Sequence, residues 1–251
     1  MKTILLLLIS LSMSFSHAKI NKISTKSLIT ERIEKKLSKE LSKKDLTLVK
    51  KEVIKYKGKS VPALVNVMKN DKFPDKNRWL ATFLLGRVMG KKSIPFITKF
   101  TEHPNWVLRL ASMKSLLALG EKNKSLYKRG LKDPSMLVRY QSLENIKDLG
   151  MSELAPSVWS MLYDKRNYYS GKNVKTKRQH IVKKVVKTIG DLKFKKAEKP
   201  LIKMILDKKY EDILPEMNYA LSKITEKKAP QENKSLIKRF WKKHQIAQMT
   251  F

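Results

Sequence analysis

The chain has 251 residues and a strongly unbalanced charge, with 56 Lys and Arg against 22 Asp and Glu and a formal net charge of +34. Such an excess favours anionic partners such as nucleic acid, lipid head groups or acidic polymers, and the alternative is a lysine-rich surface that only meets solvent. No cysteine occurs, which excludes disulfides, thiolate metal sites and cysteine nucleophiles. Apolar burial must therefore hold the fold together.

The first segment has the features of an export signal. Lys2 precedes an uncharged run from Ile4 to Phe15, and Ser16-His17-Ala18 offers small residues where a signal peptidase cuts. This run is too short for a membrane span, which needs about 20 residues. The pattern predicts a signal peptide over residues 1–18, cut after Ala18, and a periplasmic or secreted protein without a transmembrane segment. An uncleaved interfacial anchor is the alternative.

Residues 19–44 carry apolar side chains at a spacing of four residues: Ile29, Ile33, Leu37 and Leu41. This narrow stripe predicts an amphipathic helix that covers one end of the helical segments that follow. A helix lying on a membrane surface is the alternative.

A repeat occupies residues 45–225. Five glycines each follow an apolar-periodic segment and predict helix stops, namely Gly58, Gly90, Gly120, Gly150 and Gly190. In the segments that begin at Arg78, Arg109 and Arg139, apolar residues recur seven and ten positions after the arginine, on one face of a helix. A second apolar helix follows each stop and often opens with proline, as in Val61-Pro62-Ala63-Leu64-Val65. The pattern predicts an all-α array of helix pairs.

The repeat resembles HEAT repeats of the phycobilisome-lyase type, through its arginine helix, its glycine, its V-P-A-L-V second helix and its closing acid. The resemblance implies an α-solenoid superhelix of about five to six helix pairs with helical caps, of a kind that mostly binds proteins. It implies inter-repeat pairs of Asp71 with Arg78, Glu102 with Arg109, and Asp133 with Arg139. It also places the second helices on the concave surface, which would present Lys69, Lys99, Lys128, Arg129 and Lys203.

The step from Gly150 to Gly190 is longer than the others, and the surplus predicts an insertion over residues 164–176. Cations alternate with tyrosines there, at Tyr163, Lys165, Arg166, Tyr168 and Tyr169. Insertions in repeat arrays often form the binding face, and this composition suits an anionic partner. A tolerated loop, with Tyr163 in the core, is the alternative.

Residues 226–251 predict a C-terminal capping helix with a basic tail, closed by Leu236, Ile237, Phe240 and Trp241. None of the histidines stands in a metal-binding motif, and no phosphate loop or nucleophile elbow occurs. We therefore expect no enzymatic activity, no cofactor and no metal. The sequence favours an exported, monomeric scaffold whose basic concave face binds an acidic protein or an anionic envelope polymer or lipid. Non-specific nucleic-acid binding, and a chromophore lyase or other envelope enzyme, are the alternatives.

Overall fold

The computed structural model describes residues 28–168 and 180–249. The predicted signal peptide lies outside them. Within these ranges the chain forms α-helices and short 3-10 turns and no strand, as the all-α prediction requires. Two compact units divide the chain, one ending at Leu119 and the other beginning at Gly120. Among the helices of the described ranges, none combines the length and the apolar character needed to cross a bilayer.

The first unit is built around its fourth helix. Its helices are α1 (28–37), α2 (Lys43–Tyr56), α3 (Val61–Lys69), α4 (Asp75–Met89), α5 (Ile94–Lys99) and α6 (Trp106–Ala118). Helix α4 packs against α2, α3 and α6, and α5 packs against α6. Leu80, Leu84 and Leu85 place the apolar face of α4 in the core.

Helix α1 carries most of the predicted N-terminal stripe. Ile33 and Leu37 are buried, whereas Leu41 lies beyond the end of the helix and is half-buried. The side-chain amide of Asn77, on α4, donates to the main-chain carbonyls of Leu37 and Lys39 at 2.8 and 2.7 Å. Carbonyls at a helix end lack intrahelical donors, so this buried amide fixes the end of α1 against α4.

The second unit repeats a pattern of long and short helices. They are α7 (Lys124–Gly130), α8 (Met136–Asp148), α9 (Ala155–Ser160), α10 (His180–Asp191), α11 (Glu198–Leu206), α12 (Leu214–Thr225) and α13 (Lys234–Met249). The long helices α8, α10 and α12 contact one another in chain order. The short helices pack against them, α7 on α8, α9 on α10 and α11 on α12, and α13 packs against α11.

The predicted helix stops fall into two groups. Gly90, Gly120 and Gly150 adopt positive φ angles of 55°, 71° and 64°, in the left-handed region that a β-carbon disfavours. Helix α2 also ends where expected, but Lys57, with φ of 49°, takes the left-handed conformation and Gly58 follows it in a 3-10 turn. The residue with positive φ that ends α2 is therefore Lys57, one residue before the predicted Gly58.

Gly190 serves packing instead of helix termination. It lies inside α10, and Lys193, with φ of 49°, is the left-handed residue after that helix. A β-carbon on Gly190 would lie 2.6 Å from Cα of Ala220, on α12. Glycine is required here because two helix backbones approach closely. In the sequence, a glycine with this packing role cannot be distinguished from one that ends a helix.

The arginines of the repeat join each long helix to the end of the preceding short one. Arg78 is almost fully buried, and its Nε and Nη2 donate to the carbonyl of Met68 at 3.4 and 3.3 Å. Its ion pair is with Asp75, at 3.3 Å, in place of the Asp71 pair that the family resemblance implies. Arg109 donates from Nη1 to the carbonyls six and five residues earlier, at 2.9 and 2.8 Å. These arginines therefore bridge the turn through main-chain oxygens.

Helix α13 covers the far side of the second unit. Trp241 is fully buried, and its indole N–H donates to Oδ1 of Asn218 at 2.7 Å. The amide nitrogen of Asn218 in turn donates to the carbonyl of Pro230 at 2.7 Å. Ile237, four residues before Trp241, is buried on the same face. Leu236, predicted to help close this end, lies off that face and is 41% exposed.

Candidate anion-binding site

The cations predicted on the second helices are divided between the two units. Lys69 on α3 and Lys99 on α5 belong to the first unit, and Lys128 and Arg129 on α7 and Lys203 on α11 belong to the second. All five side chains are exposed. All five therefore lie at the surface of their units.

Two 3-10 turns follow α9, Met161–Tyr163 and Lys165–Asn167, and the second lies within the predicted insertion. Asp164 separates them, and its Oδ1 accepts from the backbone N–H of Arg166 at 3.0 Å. The guanidinium of Arg166 forms an ion pair with the same carboxylate, with Nη2 2.6 Å from Oδ2. Hydrogen bonding to Arg166 holds the pKa of Asp164 below its ordinary value, so the two charges compensate within one turn.

A buried polar contact fixes these turns to the rest of the unit. Arg139 is 2% exposed, and its Nε donates to Oδ1 of Asn167 at 3.1 Å. Asn167 is itself buried and donates to the carbonyl of Met161 at 2.9 Å. Arg139 also binds the carbonyls six and five residues earlier, at 2.7 and 2.9 Å, as Arg109 does. Burial lowers the pKa of Arg139, and the nearby charge of Arg166 adds to this effect.

The tyrosines of the insertion take different positions. Tyr163 is 75% exposed, so the alternative that places it in the core is wrong. Tyr168 is half-buried and its hydroxyl donates to the carbonyl of Leu162 at 2.6 Å. Lys165 is exposed, and Tyr169 lies outside the described residues. Tyr163 is therefore the tyrosine available to a partner at this end of the insertion.

Three of the predicted residues, Lys128, Tyr163 and Arg166, meet around one cavity of about 320 Å³, the Arg166 pocket. Its described lining consists of Lys128, Leu131, Lys132, Ser157, Ser160, Met161, Tyr163, Asp164 and Arg166. Lys132 was missed in the sequence; it lies in the turn that follows α7, four residues after Lys128. Lys165, Arg129 and Lys203 do not line this pocket in the described part of the chain.

The Arg166 pocket has an excess of positive charge. Asp164 compensates Arg166, whereas Lys128 and Lys132 are exposed lysines of the same wall. Ser160 donates its hydroxyl hydrogen to the carbonyl of Ser157 at 2.8 Å, which leaves its oxygen as an acceptor. Mobile ammonium groups beside an exposed tyrosine suit a carboxylate-rich polypeptide better than a rigid small molecule.

A second cavity of about 590 Å³, the lysine–tyrosine pocket, lies on the long helices of this unit and was not predicted. Its described lining consists of Tyr140, Lys147, His180, Lys183, Lys184, Lys187, Asp191 and Tyr219. The two pockets share none of their described lining residues. Lysines from α8 and α10 converge here from positions far apart in the sequence, so charge counting along the chain could not reveal it.

An acidic side chain beneath the lysine–tyrosine pocket connects two of its lysines. Glu144, on α8, pairs with Lys184 of α10 and with Lys147, whose Nζ is 3.2 Å away. Lys147 also lies 3.1 Å from Asp148. Burial alone would raise the pKa of Glu144, but hydrogen bonds from Lys184 and Lys147 hold it below its ordinary value. Burial alone would lower the pKa of Lys147, yet hydrogen bonds to Asp148 and Glu144 raise it.

Two tyrosine rings complete this pocket. Nζ of Lys184 lies 5.7 Å from the ring centroid of Tyr140, and Nζ of Lys187 lies 5.2 Å from that of Tyr219. The hydroxyl of Tyr219 donates to Asp191, and this bond, aided by burial, raises the pKa of Tyr219 to about 12. The tyrosine therefore stays protonated at neutral pH, and its hydrogen bond uses one carboxylate oxygen of Asp191.

Within the described ranges, no group of three or more His, Asp or Glu side chains is arranged to hold a metal ion. Comparison of the chain with protein-family models and with curated proteins finds no match to either.

Proposed function

We propose that this protein is an exported, non-enzymatic scaffold of HEAT-type helix pairs that binds an acidic protein through the basic surface of its second helices. The Arg166 pocket carries the proposal, because three residues chosen from the sequence for an anionic partner line one cavity there. An anionic envelope polymer or lipid offers the same charge and is an outcome of the test below.

The order of helix contacts supports the solenoid part of the proposal. In the second unit each long helix contacts the next long helix, and each is packed by the short helix that precedes or follows it. Helix pairs that cannot bury their apolar faces alone gain stability by stacking in this way. In the first unit α4 and α6 make the same kind of contact.

The binding part of the proposal rests on exposed lysines. Lysine is a strongly hydrated point charge on a flexible stem, so it attracts acidic surfaces without fixing one geometry. Association through Lys128 and Lys132 would be accelerated by long-range attraction and weakened by salt. Tyr163 at the rim would add apolar contact area to this electrostatic attraction.

Charge reversal tests the site. We expect Lys128→Glu/Lys132→Glu to lose affinity for a fluorescent oligoglutamate peptide, measured by anisotropy at low and physiological salt. Lys238→Glu/Lys242→Glu is the matched control, because it reverses two lysines at the same spacing on α13. Equal losses in both variants would show that only net charge matters. Tighter binding to anionic vesicles or to duplex DNA than to the peptide would contradict an acidic protein as the partner and would favour a lipid or a nucleic acid.

Export is tested separately by fractionating cells that produce the tagged protein. We expect a product that begins at Lys19 in the envelope or medium fraction, identified by intact mass. Full-length protein retained in the cytosol would contradict export and leave the binding proposal standing.

A further inference from the structure

We propose that the lysine–tyrosine pocket binds a small anion with two linked phosphate groups, at a site separate from the surface that binds the acidic protein. The pocket lies on α8, α10 and α12, whereas the Arg166 pocket lies on α7, α9 and the turns after α9. Its volume of about 590 Å³ is in the range of small-molecule sites.

Helix α10 concentrates like charges on this pocket. Lys183 and Lys187 are one helical turn apart, and Lys184 and Lys187 are three residues apart. Like charges at these spacings destabilise a helix slightly. An anion bound between Lys183 and Lys187 would offset this repulsion, because it attracts both ammonium groups.

The inner lysines are already neutralised, so they shape the pocket more than they provide its charge. Glu144 binds both Lys184 and Lys147, and Asp148 lies beside Lys147. The side chain of Lys184 is only 16% exposed. This network holds the wall formed by α8 and α10 in place without a ligand.

The outer lysines carry the uncompensated charge. In the described part of the chain no carboxylate lies within ion-pair distance of Lys187, whose ammonium group stands over the ring of Tyr219. Among the described residues, Lys183 has one ion pair, a long one with Glu216 at 3.8 Å. Asp191, which also lines the pocket, accepts a hydrogen bond from Tyr219. Lys183 and Lys187 are therefore the two cations positioned to receive an anion.

The chemistry of these cations selects the ligand class. In the described lining of this pocket the cations are lysines, which bind phosphate groups as compact point charges. Side chains one helical turn apart have β-carbons about 5–6 Å from each other, a separation that two linked phosphate groups span. Asp191 and Glu216 reduce the positive potential of the pocket, so the ligand must lie closer to Lys183 and Lys187 than to these two acids.

The test is a calorimetric titration of the purified protein with inorganic pyrophosphate at physiological salt. We expect saturable binding with one site, and a loss of affinity of at least about tenfold in Lys183→Gln/Lys187→Gln, because two charge-assisted hydrogen bonds are removed. Lys238→Gln/Lys242→Gln, which removes two lysines at the same spacing on α13, should bind like the wild type. Lys128→Glu/Lys132→Glu should also bind like the wild type, which separates this site from the proposed protein surface.

A nucleoside diphosphate and vesicles that carry a diphosphate lipid head group, titrated in parallel, identify the natural source of the diphosphate. Equal weakening in the α10 and α13 variants would overturn the proposal, because it would show attraction by net charge alone. Binding of several pyrophosphate ions per chain, or no saturable binding, would overturn it as well.

Discussion

The two pockets of the second unit use the same kinds of side chain in different ways. In the Arg166 pocket, the compensating acid and the arginine lie two residues apart in one turn, and the two exposed lysines lie on α7 and in the turn after it. In the lysine–tyrosine pocket, the compensating acid is on α8 while its lysine is on α10, forty residues later. The first is a local arrangement that a sequence can reveal, and the second exists only after helices pack.

Because of this difference, the two pockets suit different kinds of ligand. The exposed lysines of the Arg166 pocket offer attraction without a fixed geometry, which suits a polypeptide surface. In the lysine–tyrosine pocket, Lys183 and Lys187 stand one helical turn apart on α10, a fixed spacing that suits a ligand of defined size. Four substitutions distinguish the two pockets, and their expected effects on stability decrease from Arg139 to Tyr163.

The largest effect is expected for Arg139→Ala. This substitution removes the hydrogen bond to Asn167 that fixes the turns of the Arg166 pocket to α8. Asn167 and two carbonyls would lose their donor in a buried site, with a cost of about 3 kcal/mol in the free energy of unfolding. Urea denaturation followed by circular dichroism measures it. Arg239→Ala on α13 is the control and should change stability by less than about 0.5 kcal/mol. Equal effects in the two variants would show that the buried network contributes nothing.

Gly190→Ala should separate α10 from α12 and so act on the other pocket. Its β-carbon would lie 2.6 Å from the backbone of Ala220, and overpacking of this kind costs about 2 kcal/mol. We expect lower stability and weaker pyrophosphate binding, with binding of the acidic peptide unchanged. Gly86→Ala is the control, because its nearest neighbour, a side-chain carbon of Leu119, is 3.7 Å away and helix propensity favours alanine. A stable Gly190→Ala protein would mean that α10 and α12 can move apart freely.

Glu144→Gln should lower stability at neutral pH by about 1 kcal/mol, because two lysines lose their ionised partner. The folded-state pKa of Glu144 is below its ordinary value of 4.5, so its contribution is complete above that pH and is lost as the pH falls through the folded pKa. Thermal melts between pH 7 and pH 3 should therefore show a smaller acid-induced loss in Glu144→Gln than in wild type. Parallel curves for the two proteins would contradict the assigned network.

The smallest effect on stability is expected for Tyr163→Ala. The side chain is 75% exposed, so the free energy of unfolding should change by less than about 0.5 kcal/mol. Binding of the oligoglutamate peptide should weaken by about 1 kcal/mol if the ring contacts the partner. Tyr140→Ala, at the other pocket, should leave peptide binding unchanged. Unaltered binding by Tyr163→Ala would remove this tyrosine from the interface.

The helical class and the order of long and short helices could be predicted because each depends on local spacing. Gly90, Gly120 and Gly150 end helices with positive φ, as the pattern indicates. Gly190 could not be interpreted correctly, since a sequence does not show whether a glycine bends the chain or admits another backbone. Its neighbour, Ala220, is thirty residues away.

The candidate site was predictable in part for the same reason. Lys128, Tyr163 and Arg166 belong to the surplus residues and to the short helix beside them, so composition identifies them. Glu144, Lys184 and Tyr219 occupy the same position in three successive long helices, five residues after the position of the repeat arginine. Alignment of the repeats by polar positions as well as apolar ones would have indicated that these side chains lie side by side.

The bond between Trp241 and Asn218 ties the last helix to the interior of the second unit. Ile237 and Trp241 pack their apolar side chains on this unit, and Asn218 fixes them there from within α12. A chain shortened before α13 would expose that apolar side to water, and Oδ1 of Asn218 would lose its indole donor while the amide nitrogen keeps the carbonyl of Pro230. We expect such a chain to aggregate, because newly exposed apolar surface favours association.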